Sequence, residues 1–206
     1  MRINRISKPS GTVVSLDSIK EHLRVNGYNE ENGLIETYIN AAVDYIQQET
    51  WICAQNATYA GYMDSWCETQ NEYYQKYGNM ATGVVIKMNP VTEITSIKYY
   101  DENGDIQTMV DGTDYYYSLN GVFARINFLN TPTLRSDSFD SIEFLFKAGY
   151  LDHFKIPDSI IQLLNILVAD FFNTRNSMTL GVNVHEVVIP NSARAIMRNI
   201  SLRDFS

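Results

Sequence analysis

Charged side chains are scarce in this chain: Asp, Glu, Lys and Arg make up 19% of its 206 residues, against about a quarter in typical domains. Acidic residues outnumber basic ones by 24 to 16. This balance argues against a protein that grips nucleic acid over its whole surface. Cysteine is rarer still, since Cys53 and Cys67 are the only two. They are too few for a disulfide scaffold or a four-thiolate zinc site, and two reduced thiols are favoured over one bridge.

Long apolar runs are also missing. The longest, residues 160–172, is interrupted by Gln162, Asn165 and Asp170 and falls short of the roughly 20 residues that span a bilayer. The first residues are basic but lack the apolar segment of a secretory signal. The sequence therefore predicts a soluble protein made inside a cell, with no membrane partner.

Motifs that carry catalysis or metal binding are absent from the sequence. The histidines His22, His153 and His185 stand on different segments without metal-ligand spacing. No nucleophile elbow, phosphate-binding loop or dinucleotide fingerprint occurs, and no spacing singles out a carboxylate pair. We therefore predict no catalytic residue, no metal ligand and no cofactor.

One acidic phrase, residues 101–105 (DENGD), has the opening pattern of a calcium loop. Ile106 then stands where that loop needs glycine, and Gly112 stands where it needs glutamate. A solvated hairpin turn is the favoured interpretation.

Two helices are predicted near the start. Ser15 is a good N-cap, and Leu16, Ile19 and Leu23 follow at helical spacing, so a short helix should run to about Arg24. A longer one should begin near Asn29, whose side chain can cap it, with Glu30 and Glu31 at the positive end of its dipole, and end around residues 50–51.

Strands follow, with tight turns at Asn103-Gly104 and Asn120-Gly121. Their alternation predicts segments at 59–63, 84–88, 93–100, 106–110, 115–119, 122–128 and 141–146. The close spacing favours an antiparallel module. A polar, Tyr-rich stretch at 64–82 interrupts the strands as a long loop.

The pattern returns to helix after Pro157, which suits a first helical position. This helix is apolar on nearly all sides and needs cover on nearly all sides. We predict that a neighbouring subunit supplies part of it, through Leu164, Leu167, Phe171 and Phe172. Residues 179–190 should be extended, and the apolar spacing that follows predicts a short amphipathic helix through Ala193, Ile196, Met197 and Ile200.

The predicted fold is therefore α+β: a small helical bundle with an inserted antiparallel β module and an extended C-terminal tail. Residues 1–57 form the first bundle helices and 58–150 the β module. Residues 151–189 hold the long bundle helix and an extended segment, and 190–206 form the tail, which we interpret as a docking tail.

Charge and tyrosine are unevenly distributed. Residues 1–8 hold three basic side chains and no acid, and residues 190–206 hold three basic side chains and one acid, so the body between is strongly acidic. Basic ends suit docking onto acidic partners or simple solvation equally well. Tyr73, Tyr74 and Tyr77 suit an interface, since tyrosine gives large contact area at low entropy cost, or an ordinary surface.

Four phrases in order resemble the head–tail connector, or adaptor, family of tailed bacteriophages. The first is VSLDSIKEHLRV at 14–25, followed by the acidic start and long helix at 30–51. The second is NPVTEITSIKYYDENG at 89–104. The third and fourth are FKAGY at 146–150 and IPD at 156–158, which leads into a helix ending NTRN at 173–176.

The resemblance implies a virion structural protein that forms a ring, typically dodecameric, beneath the portal and hands on to stopper or tail proteins. Genomic DNA then passes through without specific binding, as an acidic body would favour. It further implies that the tail docks on the portal through Ile196, Met197 and Ile200 as apolar anchors, with Arg194, Arg198 and Arg203 as charge partners. The protein would be made in the host cytoplasm and function in the virion neck.

The stretch at 64–82 is longer than this family pattern leads us to expect, and contact of Tyr73, Tyr74 and Tyr77 with a neighbouring ring is slightly favoured over a mobile loop. Three other functions remain open at this point: a stopper or tail-completion protein, a soluble β-rich ligand-binding module, and, least favoured, an enzyme with dispersed carboxylates.

Overall fold

Helices from both ends of the chain form one unit of the fold, and strands from its middle form most of the other. The structure is a computed structural model that describes residues 1–10, 12–25, 27, 29–66, 83–136, 139–151, 155–174 and 189–202. The helices are α1 (Leu16–Leu23), α2 (Asn32–Thr50), α3 (Asp158–Thr174) and α4 (Asn191–Ile200). The strands are β1 (Arg2–Arg5), β2 (Ala57–Met63), β3 (Gly83–Ile86), β4 (Val91–Tyr100), β5 (Ile106–Thr108), β6 (Tyr115–Ser118), β7 (Ala124–Phe128) and β8 (Ile142–Ala148). The predicted α+β class is confirmed.

Helix α1 begins where the sequence predicts. The Ser15 hydroxyl accepts a hydrogen bond from the Ser18 N–H at 3.1 Å, which satisfies one of the free donors of the first turn. The helix ends at Arg24, whose φ of 59° is left-handed.

No helix in the described ranges combines the length and apolarity needed to cross a bilayer.

Helix α2 begins at Asn32, three residues later than predicted. Asn29 does not cap it. Instead, Lys20 Nζ donates to Asn29 Oδ1 at 2.9 Å and to Asn32 Oδ1 at 3.1 Å. Lys20 is only 6% exposed, so these amide oxygens compensate for much of the lost hydration of its ammonium group. The prediction placed the start from the capping preference of Asn29 and the acidic residues after it, and it missed this link between α1 and α2.

The helices share one apolar core. The fully buried positions of α2 and α3 face each other, with Val13, Val14 and Ile19 at one side and the inner face of α4 at the other. On α3 the buried side chains are Ile160, Leu163, Leu164, Leu167 and Val168. Burial of each large aliphatic side chain contributes about 1.5–3 kcal/mol, so α3 is the central element of the bundle.

Five antiparallel strands form the larger sheet in the order β1-β2-β8-β4-β5. Burial alternates strictly along β8, with Ile142, Phe144, Phe146 and Ala148 facing the core. Strand β2 pairs with β8 over seven residues, from Ala57 opposite Ala148 to Met63 opposite Ile142. All seven predicted strands are present, with ends shifted by two residues at most.

Strand β1 is a correction to the predicted organisation. Residues 1–8 were predicted to be a basic end within the first helical unit, yet Arg2–Arg5 pair with β2, from Arg2 opposite Tyr62 to Arg5 opposite Tyr59. Arg2 also forms an ion pair with Asp140. The N-terminal segment therefore belongs to the β module, and the 1–57 boundary does not describe it.

The smaller sheet, in the order β3-β7-β6, shares its core with the larger one. Trp66 bridges them: its ring centroid lies 4.9 Å from that of Phe128 and 5.4 Å from that of Tyr99, and its indole N–H donates to the Pro132 carbonyl at 2.7 Å. Phe128 in turn lies 6.3 Å from Phe144. Edge-to-face contacts of this kind add about 0.5–1.5 kcal/mol each.

Candidate functional site

The C-terminal residues that were predicted to dock form a fourth bundle helix. Ala193 is fully buried and Met197 is 8% exposed, both against the other helices. Ile196 and Ile200 are half-buried in the same contact. The amphipathic helix predicted from their spacing is confirmed, but residues 191–200 are not an extended tail, because their apolar face is covered by the bundle.

The outer face of α4 is basic. Arg194 and Arg198 are exposed and stand one helical turn apart on the side away from the bundle. Arg203 lies outside the described residues. Of the six residues predicted to contact the portal, the structure thus brings two cations together on one outward face and turns three apolar side chains inward.

The end of α4 is tied to α2. The Leu202 N–H donates to the Thr50 carbonyl at 3.0 Å, and the Ser201 hydroxyl approaches the Glu49 carbonyl at 3.5 Å. Near this contact, burial raises the pKa of Tyr45; Glu49 adds to the rise, and Arg194 opposes it. The helix is therefore held in a defined position at both its apolar face and its C-terminal end.

The residues of α3 that were predicted to contact another subunit fall into two pairs. Leu164 is fully buried and Leu167 is 2% exposed inside the subunit's own core. This corrects the prediction, because α1, α2 and α4 supply the cover that we assigned to a neighbour. Phe171 and Phe172 are only half-buried, and the Phe171 ring lies 6.2 Å from that of Tyr38. These two keep surface available for a partner.

A short junction, comprising residues 50–53 after α2 and residues 87–90 before β4, joins the bundle to the β module. The Cys53 N–H donates to the Asn89 carbonyl at 2.8 Å, and the Asn89 N–H donates to the Trp51 carbonyl at 3.0 Å. The ring centroids of Trp51 and Phe123 lie 6.0 Å apart, and Lys87 Nζ lies over the Trp51 ring, 5.3 Å from its centroid. Paired backbone groups of this kind fix the orientation of two units far better than a flexible linker does.

Side chains strengthen the same junction. Arg5 Nη1 on β1 and Asp44 Oδ1 on α2 lie 2.8 Å apart, and this hydrogen bond, opposed in part by burial, raises the pKa of Arg5. The Tyr59 hydroxyl on β2 donates to Gln47 Oε1 on α2 at 3.1 Å. Sequence reasoning missed these pairs, since β1 was not predicted and nothing local in the sequence connects residues 5 and 44.

Cys53 is buried in the junction and free. Burial raises the pKa of its thiol to about 12, so it is protonated at neutral pH and is not an activated nucleophile. Cys67 lies outside the described residues. Among the residues that the structure describes, no group of three His, Cys, Asp or Glu side chains is placed to hold a metal ion.

The acidic phrase at 101–105 is a hairpin turn, as predicted. Asp101 Oδ1 accepts from the N–H groups of Asn103 and Asp105 at 2.9 and 3.0 Å, and Asp101 Oδ2 accepts from Gln107 Nε2 at 2.8 Å. The hydrogen bond from Gln107, followed by the backbone donors, lowers the pKa of this carboxyl. Gly104, with φ of 86°, supplies the left-handed residue of the turn.

The turn stands far from the bundle. Strand β4 leaves the junction at Val91 and runs for ten residues to Tyr100, a span of about 30 Å. The subunit therefore has two ends: helices with a basic outer face at one, and an acidic hairpin at the other. Tyr73, Tyr74 and Tyr77, predicted to contact a neighbouring ring, lie outside the described residues.

One family model matches the chain. A family model described as "Phage gp6-like head-tail connector protein" matches residues 13–127, which is more than half of the chain. No curated protein sequence matches significantly.

Solved structures share the fold over nearly the whole chain. The neck of an empty gene transfer agent (GTA) particle, computed with C6 symmetry, contains a chain with a TM-score of 0.72 and 18% identity, covering 98% of this chain and 95% of its own. A chain from the virion of the native particle has a TM-score of 0.71 and 17% identity, with the same coverage of both chains. A chain from the neck of the native particle, computed with C12 symmetry, has a TM-score of 0.67 and 16% identity, and the match again covers 98% of this chain and 95% of the other.

Proposed function

The chain belongs to the phage gp6-like head–tail connector family, and on that premise we propose that it is an adaptor subunit that forms a dodecameric ring beneath the portal of a phage capsid. In this proposal the ring links the capsid to stopper or tail proteins and lines the channel through which DNA leaves. The role is structural and non-enzymatic.

The observation that carries the proposal is a two-ended subunit with a stiff junction. An adaptor must hold one partner at each end and keep the two in register. Here the junction joins the ends through backbone hydrogen bonds at 2.8 and 3.0 Å and an ion pair between β1 and α2. A subunit built in this way transmits the position of one partner to the other.

We assign the portal-facing surface to α4. Arg194 and Arg198 are exposed, and Arg203 follows beyond the described residues. Exposed cations on one face suit an acidic partner and steer its approach. In this arrangement Ile196, Met197 and Ile200 anchor α4 to its own bundle, and the cations make the first contact with the portal.

Ring formation is supported by the fold. Two of the similar structures are particle necks computed with C6 and C12 symmetry. A closed ring requires different, complementary surfaces on the two sides of one subunit. Phe171 and Phe172 offer half-buried aromatic surface for such a contact. We also keep Tyr73, Tyr74 and Tyr77 as proposed contacts with a neighbouring ring.

The channel role is supported by charge. The chain carries a net charge of −8, so a lumen lined by its acidic side chains would repel phosphates and let DNA slide. No base-specific contact is needed for this role.

Native mass spectrometry of the subunit, with and without its portal, tests the proposal. A closed ring formed alone or only on the portal is expected. A monomer that ignores the portal would overturn the proposal and favour the soluble ligand-binding module.

A double charge reversal tests the assigned surface. Arg194→Glu with Arg198→Glu should leave the subunit folded, because both side chains are exposed, and should weaken portal binding about 10-fold or more. The matched control reverses two exposed cations elsewhere, Arg24→Glu with Lys155→Glu. Equal binding by both double variants would refute the role of α4.

A further inference from the structure

The larger sheet ends in two different edges. Its order, β1-β2-β8-β4-β5, places β1 and β5 on opposite sides of the subunit. Neither strand pairs with a further strand of the described chain. The two edges are therefore the lateral faces of the β module.

The β5 face is apolar and acidic. Ile106 is 61% exposed and Val110 57%, and Tyr116 of β6, which follows the same loop, is 54% exposed. The exposed carboxylates of the face, which form no ion pair with another described residue, are Glu102, Asp105 and Asp111. We call residues 102–116 the β5 face.

The loop that carries Val110 is held in place. Asp114 accepts from the Val110 N–H at 2.8 Å and from Asn130 Nδ2 at 3.0 Å, and the Gly112 N–H donates to the Tyr115 carbonyl at 2.9 Å. The apolar side chains are therefore presented by a fixed loop, which limits the entropy lost on binding.

The β1 face is grooved and carries Lys8 and Lys87, which form no ion pair with another described residue. A groove of about 450 Å³ runs beside β1 and is lined by side chains from β1, α2 and the junction, among them Met1, Ile3, Trp51, Lys87 and Met88. Ile6, just beyond β1, is 55% exposed, and Lys8 is exposed next to it. We call this strand with residues 6–8 and the groove the β1 face.

The pairing register places residues 108–110 of the β5 face level with β1. Directly paired residues form rows across the sheet, and one row consists of Ile3 on β1, Gly61 on β2, Phe144 on β8 and Ile97 on β4. The Met109 N–H, just after β5, donates to the Ile97 carbonyl at 2.9 Å. The next row runs from Arg2 on β1 to Thr108 on β5. Val110 thus lies about level with the residue that follows Ile3, beside the groove.

We propose that the β5 face of one copy of this chain docks on the β1 face of the next copy, with Ile106 and Val110 entering the groove and Asp111 opposite Lys8 and Lys87. This inference rests on the proposed ring, and it names the surfaces that close the ring.

A second copy fits these observations better than an unrelated protein. The β5 face carries the carboxylate of Asp111 and the β1 face carries Lys8 and Lys87. Each face has exposed apolar surface, and the two lie at opposite edges of one sheet. Subunits of a closed ring meet through such a heterologous pair, since each copy offers one face to each neighbour.

Two variants, each blocking one face, test this contact. Ile106→Glu with Val110→Glu adds charge to exposed positions of the β5 face, and Ile6→Glu with Lys8→Glu does the same on the β1 face. Each should fold and stay monomeric, with the concentration for half-assembly raised about 100-fold or more. Docking would bury new carboxylates in the groove for the first variant or place them opposite Asp111 for the second, and both variants lose apolar contact. Leu151→Glu, a 72% exposed position outside both faces, is the matched control and should form rings normally.

Mixing the two blocked variants is the sharpest measurement. Each retains the face that the other has lost, so the mixture should form dimers through one intact contact and nothing larger by native mass spectrometry. Restored full rings, or no dimers at all, would overturn the inference.

The outcomes also separate the two proposals. If the wild type and both blocked variants form rings alike, the face assignment fails and the adaptor function stands. If the wild type forms no ring, either alone or on the portal, both fail.

Discussion

Replacing Gly149 with alanine should destabilise the subunit much more than the same replacement at Gly112. Both glycines have a positive φ, 113° and 77° respectively, so both variants bear the backbone strain of alanine in that region. They differ in their surroundings. A Cβ at Gly149 would lie 2.0 Å from the Gln55 carbonyl oxygen and 2.6 Å from the Asn56 nitrogen, whereas a Cβ at Gly112 has nothing within 4 Å.

The magnitude follows from these two contributions. Backbone strain costs about 1–2 kcal/mol in either variant. At Gly149 the clash is with backbone, which no side-chain rotation relieves, so overpacking adds about 1–3 kcal/mol. The shift needed would also disturb the hydrogen bond from the Gly149 N–H to the Pro90 carbonyl, now 2.8 Å. We expect a total of about 2–5 kcal/mol for Gly149→Ala and about 1–2 kcal/mol for Gly112→Ala.

Urea unfolding of both variants, followed by circular dichroism, measures the difference directly. Thermal melts should agree, with Gly149→Ala lowering Tm by about 5–15 °C for a chain of this size. If the free energies of unfolding of the two variants fell within about 0.5 kcal/mol of each other, the close approach between residue 149 and residues 55–56 would not be the reason for glycine there.

Three further predictions concern other parts of the subunit. Leu164→Asp should prevent folding, because it places a charge at a fully buried position at a cost above about 4 kcal/mol. The control Gln162→Asp, on the exposed side of the same helix, should fold, and a well-folded Leu164→Asp subunit would disprove our account of the bundle. Asp101 has a lowered pKa in the folded subunit, so its stabilising effect should be complete above its usual pKa near 4 and be lost as the pH falls through the lower folded value. The Asp101→Asn variant should therefore be less stable than wild type at pH 7 and differ little from it near pH 2, and a constant difference across that range would contradict the assignment. In a Cys67→Ser background, Cys53 should resist alkylation at pH 8 in the folded chain and react on unfolding, because burial in the folded chain raises the pKa of its thiol to about 12. Rapid labelling of the native chain would show that the junction opens.

Local patterns in the sequence were enough to predict most individual elements. Ser15 predicts the start of α1, and the alternation along residues 141–146 predicts β8, because each signal acts within a few residues. The resemblance in family phrases then indicated the connector family, which the family model confirms.

Interactions between distant residues were not predictable in this way. Strand β1 is four residues long, too short for alternation to distinguish it from a basic tail, and its partner β2 is more than fifty positions away. The start of α2 depends on Lys20, which takes Asn29 as a hydrogen-bond acceptor. The burial of Leu164 and Leu167 inside one subunit depends on how α4 packs, and periodicity alone cannot distinguish cover by the same chain from cover by a neighbour.

The shared core of the bundle also constrains when a newly made chain can fold. Its buried side chains come from residues 13–54 and 156–197, with strands β2 to β8 between them. The first two helices therefore lack α3 and α4 while the ribosome makes roughly the next hundred residues, and the bundle closes only after those helices emerge. The β module meets no such delay, since β2 to β8 are complete before α3 is made. We therefore expect the basic outer face of α4, which exists only once the bundle has closed, to be the last surface to form during synthesis, so that an unfinished chain cannot offer it to a partner.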